Sequence, residues 1–284
     1  MHYYVVDVFS ELPFMGNPVA VVICNQDLTS AQMQQMAAWL NLSETTFVSN
    51  FQPQLGQYSV RIFSPAGEMP FAGHPTLGTA VAVKKHFNYA GANMVQDCPA
   101  GLVDLRFDDA NNSVHLVAPD TKLHNISTAQ SQQLVEALGL KQNTDVICAA
   151  KLDAGPMWIT ALLSSAHLVA QLQPSQALIE ILSDDLQATG IVVGALKDDG
   201  KTYKVRTFAP AVGVAEDPVC GSGNVAVAYL RRHDGQGDGD YQSQQGQEVG
   251  RDGAIHIAYL TEQQIELGGK THITCEGDIA MPHI

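Results

Sequence analysis

The apolar positions begin in short strand-like runs at residues 3–9 and 18–24, which a turn containing Gly and Pro separates. Thr29 or Ser30 can then cap a helix that extends to Leu40. The apolar residues of this helix recur at helical spacing and share one face: Met33, Met36, Ala37 and Leu40. The first part of the chain is therefore predicted to mix strands with an amphipathic helix.

The same alternation of strands and helices continues through the rest of the chain. Strands are predicted at 45–48, 190–196 and 271–281, and helices at 127–140 and 176–186. The C-terminal strand is expected to return to the first domain. Two stretches, 87–110 and 234–253, lack a clear period and are predicted as loops, or a hairpin in the second case, at the mouth of a cleft.

One motif occurs twice. Residues 58–66 return as 203–211, with six of the nine residues identical. A repeat of about half the chain is too long for a solenoid unit, so it predicts two similar domains that face each other across a cleft. The boundaries follow as 1–120, joined by the C-terminal strand 271–284, and 121–270.

Each copy of the motif leads to a Gly that opens an apolar segment, at 75–83 and at 223–230. These segments are apolar on nearly every side, which is typical of a helix surrounded by protein. The basic triplets that follow them, 84–86 and 231–233, are expected to emerge into solvent and complement the helix dipole. At the opposite end, free N–H groups attract anions, so the two N-termini are expected to clamp a small carboxylate-bearing molecule.

Composition narrows the possible partners. A formal net charge of −14 argues against nucleic acid or an anionic membrane as the partner. The five cysteines show no spacing typical of zinc ligands, so no metal is expected. The N-terminus does not resemble a signal peptide, and no apolar run is long enough to span a membrane. These features predict a cytoplasmic protein with reduced thiols.

Several motifs together resemble one family. They are Asp7-Val-Phe9, Gly16-Asn17-Pro18, Leu42-Ser43-Glu44-Thr45, Arg61-Ile-Phe63-Ser-Pro65, Gly73-His74-Pro75-Thr76 and Glu216-Asp217-Pro218-Val-Cys220-Gly221-Ser222-Gly223. In this order they resemble the PhzF (phenazine-biosynthesis) isomerase-like family, within the wider diaminopimelate epimerase fold. The resemblance implies an α+β fold of two pseudo-symmetric domains, each a curled, mostly antiparallel sheet around a central buried helix. It also implies a cofactor-free active site between the domains and a homodimer.

Three residues are predicted to act on the substrate. On its own Glu44 reads as a capping or surface residue, but the resemblance makes it the general acid/base, with a pKa raised by partial burial. His74 could equally be a core or capping residue, and Asp217 a helix cap; the resemblance gives both a contact with the substrate. In the second copy, counting back from the repeated tyrosine places Thr189 where Glu44 stands in the first. The proton-transfer group is therefore expected in one half only.

The residues predicted to bind the carboxylate are Gly73, Gly221, Ser222, Gly223 and Cys220. In the epimerase relatives, a cysteine before the second Gly-Ser-Gly is one of two thiol bases, but this chain has Ala72 at the place of the other. Cys220 is therefore predicted to pack rather than to react. The glycines around Ser222 fit a dinucleotide-binding fingerprint only loosely and follow Glu-Asp-Pro rather than a strand, so no cofactor is predicted.

The sequence thus predicts a cofactor-independent isomerase that moves a proton on a small carboxylate-bearing substrate, with Glu44 as its single acid/base. Two alternatives stay open. One is an epimerase or racemase that uses Glu44 and Cys220. The other is a catalytically inactive protein that binds a metabolite.

Overall fold

The computed structural model of the chain describes residues 1–262 and 264–282. It divides into two compact units, the first formed by Met1–Val117 with Gly268–Ile284 and the second by Ala118–Leu267. A mixed sheet and one deeply buried helix form the centre of each unit.

The first unit contains the strands β1 (His2–Val8), β2 (Asn17–Ile23), β3 (Glu44–Gln52), β4 (Gln57–Phe63), β5 (Glu68–Met69), β6 (Asn93–Cys98), β7 (Gly101–Asp108) and β8 (Ser113–Val117), with helices α1 (Ser30–Leu40) and α2 (Gly73–His86). The second contains β9 (Lys122–His124), β10 (Val146–Asp153), β11 (Met157–Leu163), β12 (Gly190–Leu196), β13 (Thr202–Ala209), β14 (Val214–Asp217), β15 (Tyr241–Gln245) and β16 (Gly253–Tyr259). Its helices are α3 (Thr128–Ala137), α4 (Ala166–Gln171), α5 (Gln176–Leu186) and α6 (Gly221–His233). Strand β17 (Ile265–Asp278) begins in the second unit and continues in the first.

In the first unit the strands pair in the order β17–β1–β2–β3–β4–β6–β7–β8, and β8 pairs again with β17, which closes the sheet into a barrel. Most pairs are antiparallel, but β2–β3 and β4–β6 are parallel. A parallel pair needs a crossover connection, and the helices α1 and α2 provide these two.

Helix α2 is the crossover that the barrel encloses. Its residues are buried from His74 to Ala80, and again at Ala82 and Val83, so the helix has no solvent-facing side over most of its length. The polar side chains inside it are paired: the hydroxyl of Thr79 lies 2.7 Å from that of Thr46, and Thr76 Oγ1 accepts from Gln96 Nε2 at 2.8 Å. These bonds offset the desolvation of the hydroxyls, which burial alone would make costly.

The second unit uses a related order of pairing, β9–β10–β11–β12–β13–β15–β16, again with two parallel pairs, β11–β12 and β13–β15. Helix α6 is the crossover between β13 and β15 and is buried along most of its length. Helices α3 and α5 pack together on the apolar core that includes Leu134, Ile179 and Ile191. The predicted α+β fold, a curled and mostly antiparallel sheet around a central helix in each domain, is confirmed.

Residues 234–253, predicted as a loop or a hairpin, form a hairpin, in which β15 pairs antiparallel with β16 from Gly253 onwards. Two predictions about local structure are wrong. Residues 87–110 are not a loop, because they contain β6 and β7. The basic triplet at the end of α6 also does not simply emerge into solvent. Arg231 is half-buried, with its guanidinium carbon 4.8 Å from the centre of the Tyr241 ring and 5.3 Å from that of Tyr203. Aromatic faces attract cations, and these rings hold the arginine against the sheet.

Within the described part of the chain, no helix is long and apolar enough to cross a membrane.

Candidate functional site

Glu44 and His74 lie side by side in the first unit. Glu44 is the first residue of β3, where it pairs with Val19 of the parallel strand β2. His74 is the second residue of α2, and its Nε2 lies 3.3 Å from Oε2 of Glu44. Only 15% of the Glu44 side chain and 7% of the His74 side chain are exposed, so the contact is shielded from water.

Burial decides the charge of His74. Desolvation lowers the pKa of the imidazole from 6.5 to about 3, against the opposing effect of a hydrogen bond with the backbone of Pro18. Since proline has no N–H, the ring must be the donor and the Pro18 carbonyl the acceptor. The donor is Nδ1, because Nε2 makes no hydrogen bond of good geometry within residues 1–262 and 264–282. The neutral ring therefore has an unprotonated Nε2, which lies 3.3 Å from Oε2 of Glu44.

This geometry has a chemical consequence for Glu44. A bare Nε2 repels a carboxylate oxygen but accepts a hydrogen bond from a carboxylic acid. A proton on Oε2 of Glu44 would therefore have an acceptor beside it, and it would not have to move to the buried imidazole.

The second unit has no carboxylate at the position of Glu44, although the equivalent residue is not Thr189. In the first unit Thr46 lies opposite Ile62 across β3 and β4, and in the second Val192 lies opposite Thr207 across β12 and β13. Counting from these pairs makes Gly190 the counterpart of Glu44. The difference of one residue comes from a register shift in β3, between Ser49 and Gln52, which simple counting along the sequence could not reveal.

Asp217 lies in the second unit, at the end of β14 and ahead of α6. Burial raises the pKa of its carboxyl from 3.8 to about 6, and Glu216 adds to this, against hydrogen bonds from the Val219 N–H and the Cys220 thiol. The bond from Val219 N to Asp217 Oδ1 is 3.0 Å long and folds the side chain back over its own loop. Asp217 is therefore not the simple cap of α6 that one interpretation of the sequence suggested.

Cys220 provides that cap. Its Sγ accepts from the Gly223 N–H at 3.3 Å, and it lies 3.6 Å from Oγ of Ser222. Ser222 Oγ in turn accepts from the indole Nε1 of Trp158 at 3.1 Å. The structure thus brings Asp217, Cys220 and Ser222 together at the first turn of α6, where Gly221 and Gly223 are also buried.

Gly73 is the first residue of α2, beside His74, and the residue before it, Ala72, offers no side-chain cap to the free N–H groups of the helix. The predicted site residues therefore form two groups, Glu44 with Gly73 and His74 in the first unit, and the residues around Asp217 in the second.

Sequence reasoning missed three polar residues at the second group. Trp158 binds Ser222, while Gln245 and Asn224 bind the backbone of the loop from Asp217 to Cys220. Trp158 and Gln245 are distant from this loop in sequence. They reach the loop because their strands, β11 and β15, take their places in the sheet next to β12 and β13 respectively. Trp158 in the apolar strand β11 and Asn224 in the apolar helix α6 gave a signal, whereas Gln245 in the polar sequence of β15 gave none.

Within residues 1–262 and 264–282, no group of three or more His, Cys, Asp or Glu side chains is arranged to hold a metal ion.

Sequence comparison links the chain to characterised relatives. The family model described as "Phenazine biosynthesis-like protein" (PhzC-PhzF) matches residues 6–277. Trans-2,3-dihydro-3-hydroxyanthranilate isomerase of Pseudomonas chlororaphis is 34% identical over 256 residues, which cover 88% of this chain and 87% of the relative. Antisense-enhancing sequence 1 of Schizosaccharomyces pombe is 37% identical over 230 residues, or 78% of this chain and 77% of the relative.

Comparison with solved structures finds the same fold in a protein of this family. The crystal structure of the Bacillus anthracis phenazine biosynthesis protein of the PhzF family superposes with a TM-score of 0.84 at 20% identity, covering 99% of both chains. At that identity the likeness supports the fold alone. The named relatives confirm the predicted enzyme class, an isomerase. The chain belongs to the phenazine biosynthesis-like (PhzC-PhzF) family.

Proposed function

We propose that this protein is an isomerase that moves a proton within a small carboxylate-bearing substrate, with Glu44 as the single general acid/base. The observation that carries the proposal is the 3.3 Å contact between Glu44 Oε2 and Nε2 of a neutral, buried His74. A carboxylate lifts the proton from carbon, and the resulting acid is held by the histidine until the proton is returned to another carbon. General acid/base groups placed in this way contribute about 10²–10⁴-fold to a rate.

The residues at the start of α6 and α2 supply the binding contacts in this proposal. The N–H groups of Gly73, Gly221 and Gly223 stand at helix N-termini, which favour a carboxylate. The Ser222 hydroxyl accepts from Trp158 and can turn its proton from the Cys220 Sγ, 3.6 Å away, to the substrate. Asp217 accepts a hydrogen bond from a polar group of the substrate.

The name of the Pseudomonas chlororaphis relative supplies the first compound to test, trans-2,3-dihydro-3-hydroxyanthranilate. This compound carries a carboxylate, and its conversion changes its ultraviolet absorption because double bonds move. We expect the wild-type protein to convert it without an added cofactor.

Glu44→Gln is expected to lower kcat by at least about 10²-fold, because the amide fills the same volume but cannot carry a proton. Glu68→Gln is the matched control: Glu68 belongs to the same unit, is bound to Arg61 at the surface and should leave kcat within about twofold. Wild-type turnover by Glu44→Gln would disprove the assignment of the base. If the wild-type protein does not convert this compound, the proposal that it is the substrate is wrong.

The alternative function is an epimerase that uses Cys220 as a second base. One observation on the Cys220 thiol bears on it. The thiol donates a hydrogen bond to the Asp217 carboxylate. This negative neighbour opposes loss of the thiol proton, but Sγ also accepts from the Gly223 N–H at the start of α6, which favours a thiolate. The choice between isomerase and epimerase therefore rests on the behaviour of Cys220→Ser.

A further inference from the structure

Gln245 is the last residue of β15, and only 1% of it is exposed. Its side-chain amide makes three hydrogen bonds, all to the loop 217–220 and the first turn of α6. Nε2 donates to the Asp217 carbonyl at 2.8 Å, while Oε1 accepts from Cys220 N at 3.2 Å and from Asn224 Nδ2 at 2.9 Å. One amide therefore binds both ends of the loop that carries the Asp217 carboxylate and the Cys220 thiol.

Asn224 completes this clamp. It is fully buried in α6, and its Nδ2 also donates to the Cys220 carbonyl at 2.8 Å. The N–H and the C=O of Cys220 are thus both bound by amide side chains. Because buried backbone groups need partners, removal of the Gln245 amide would take one hydrogen bond from the Cys220 N–H and one from the Asp217 carbonyl.

The loop also lies directly on the end of β15. Gly246 follows Gln245 with a φ of +101°, and a Cβ at that position would come within 2.5 Å of the Pro218 carbonyl oxygen. Only glycine permits both the backbone conformation and this approach. The strand end is therefore shaped to receive the loop, with Gln245 as its binding group.

The first unit offers a comparison. Cys98 ends β6 opposite Gly101, as Gln245 ends β15 opposite Gly253. The Cys98 thiol donates to Gly101 of its own hairpin. The two units therefore differ in the side chain at this position, an amide in the unit that contains Asp217 and a thiol in the other.

We propose that Gln245 is a positioning residue that holds the loop 217–220 against β15 and thereby places the Asp217 carboxylate for the substrate. The catalytic part of this inference rests on the proposed function. The placement itself does not, because it can be measured in the protein without substrate.

The charged and titratable groups that face Asp217 are few. Glu216 is next to it and is bound in turn by Arg206, whose Nη2 lies 2.7 Å from Glu216 Oε2. The Cys220 thiol donates to the Asp217 carboxyl. With these neighbours unchanged, movement of the loop into water should be visible in the titration of Asp217, whose raised pKa reflects burial.

The test uses two variants of Gln245 and one control. Gln245→Met keeps the volume but removes all three hydrogen bonds; Gln245→Glu keeps the acceptor and, when ionised, loses the donor and adds a negative charge. Gln244→Met is the control, since Gln244 on the same strand binds Lys197 and not the loop. Carbon-13 NMR would follow the Asp217 carboxyl, assigned with Asp217→Asn, and kcat/KM would be measured with trans-2,3-dihydro-3-hydroxyanthranilate.

We expect the titration midpoint of Asp217 to fall by about one pH unit or more in Gln245→Met and to rise in Gln245→Glu, while Gln244→Met matches the wild type. We expect kcat/KM to fall about 10–100-fold in Gln245→Met and less in Gln245→Glu, as for a displaced binding group. If Gln245→Met does not fold, Gln245→Asn takes its place, because its shorter amide cannot reach both ends of the loop, and a fall of the Asp217 midpoint is again expected.

An Asp217 midpoint that does not fall in folded Gln245→Met, or in Gln245→Asn where the Met variant does not fold, overturns the inference, whatever the activity. Shifted midpoints with wild-type kcat/KM overturn its catalytic part. If the wild-type protein is inert towards the compound, the proposed substrate fails, and the shifts of Asp217 still decide whether Gln245 positions this residue.

Discussion

The shifted pKa of His74 makes the stability of the protein depend on pH. A histidine whose pKa falls from 6.5 to about 3 in the folded protein binds fewer protons there than in the unfolded chain. Between these two pH values the stability of the protein therefore decreases as the pH falls. Asp217 acts in the opposite sense between pH 3.8 and about 6, because its raised pKa lets the folded state bind the extra proton. The two effects partly cancel in the wild type.

Replacing His74 by Asn should remove the contribution of His74 to the pH dependence of stability and leave that of Asp217. The Asn amide can still donate to the Pro18 carbonyl, but it does not titrate. Between pH 7 and pH 4 we expect the free energy of unfolding to decrease less in His74→Asn than in the wild type, by on the order of 3 kcal/mol. Urea unfolding at the two pH values measures this difference. His167→Asn, at an exposed histidine, is the control. An acid loss as large in His74→Asn as in the wild type would refute a neutral, buried imidazole.

Cys220 tests the choice between isomerase and epimerase. Serine can replace the thiol both as the cap that accepts from Gly223 and as the donor to Asp217. We therefore expect Cys220→Ser to retain kcat within about tenfold, as for a mild change in a packed site. The steady-state rate with trans-2,3-dihydro-3-hydroxyanthranilate measures it. A loss as large as that of Glu44→Gln, with inactivation by iodoacetamide that substrate prevents, would favour the epimerase.

At the scale of elements, the central helices depend on small residues. Gly78 of α2 lies against β2, and a Cβ at that position would stand 2.4 Å from Val19 Cγ1 and 3.1 Å from Val8 Cγ2. Alanine is the better helix former by about 1 kcal/mol, but the β-branched side chains of a closed barrel cannot easily retreat. Steric fit should therefore outweigh helix propensity here.

We expect Gly78→Ala to lower the free energy of unfolding by about 1–3 kcal/mol. Val19→Ala should relieve the clash, so the double variant should be more stable than the sum of the single changes implies. Chemical unfolding of the four proteins gives this coupling. Gly67→Ala is the control, because no atom lies within 4 Å of its Cβ position. Additive single changes would mean that the helix can shift away from the strand.

At the scale of the whole molecule, the two units share an order of strand pairing but not their chemistry. Glu44 begins β3 in the first unit, and Gly190 begins β12 in the second. The proposed scheme with one carboxylate base agrees with this asymmetry. Such a base can return the proton that it has removed before that proton exchanges with solvent.

Turnover of trans-2,3-dihydro-3-hydroxyanthranilate in D₂O should therefore give product with partial deuterium on a single face of the receiving carbon. Mass spectrometry and proton NMR of the product measure the content and the face. A two-base epimerase would instead introduce solvent deuterium almost completely and with inversion. Full incorporation with inversion would rule out the single-base scheme, and a protein that only binds metabolites would give no exchange.

Local signals in the sequence were sufficient for several elements. Thr29 caps α1, and Met33, Met36 and Ala37 form its buried face, as their spacing predicted. The apolar run of β12 and the all-round apolar character of α2 and α6 were equally clear. In each case the deciding interaction lies within a few residues along the chain, where a pattern can display it.

Other strands could not be predicted because their burial is set by distant partners. Strand β15 reads Tyr-Gln-Ser-Gln-Gln, a polar sequence, yet Ser243 and Gln245 are buried in it. Its pairing with β13 and β16 places these side chains inside the unit, where hydrogen bonds to the loop before α6 make burial of Gln245 favourable. A polar residue with such partners looks like a loop residue when the partners are unknown.

The sequence by itself determined the α+β class, the buried helices and the lack of a second Glu44, and its motifs supplied the candidate residues for the site. Tertiary structure decided what those residues do to one another. The contact of Glu44 with His74 joins a strand to a helix, and the neutral state of His74 follows from its burial and its bond to Pro18. The raised pKa of Asp217 and the clamp by Gln245 likewise need several strands in register. Desolvation and hydrogen-bond geometry depend on what surrounds a group in space, and the linear order of residues does not contain that information.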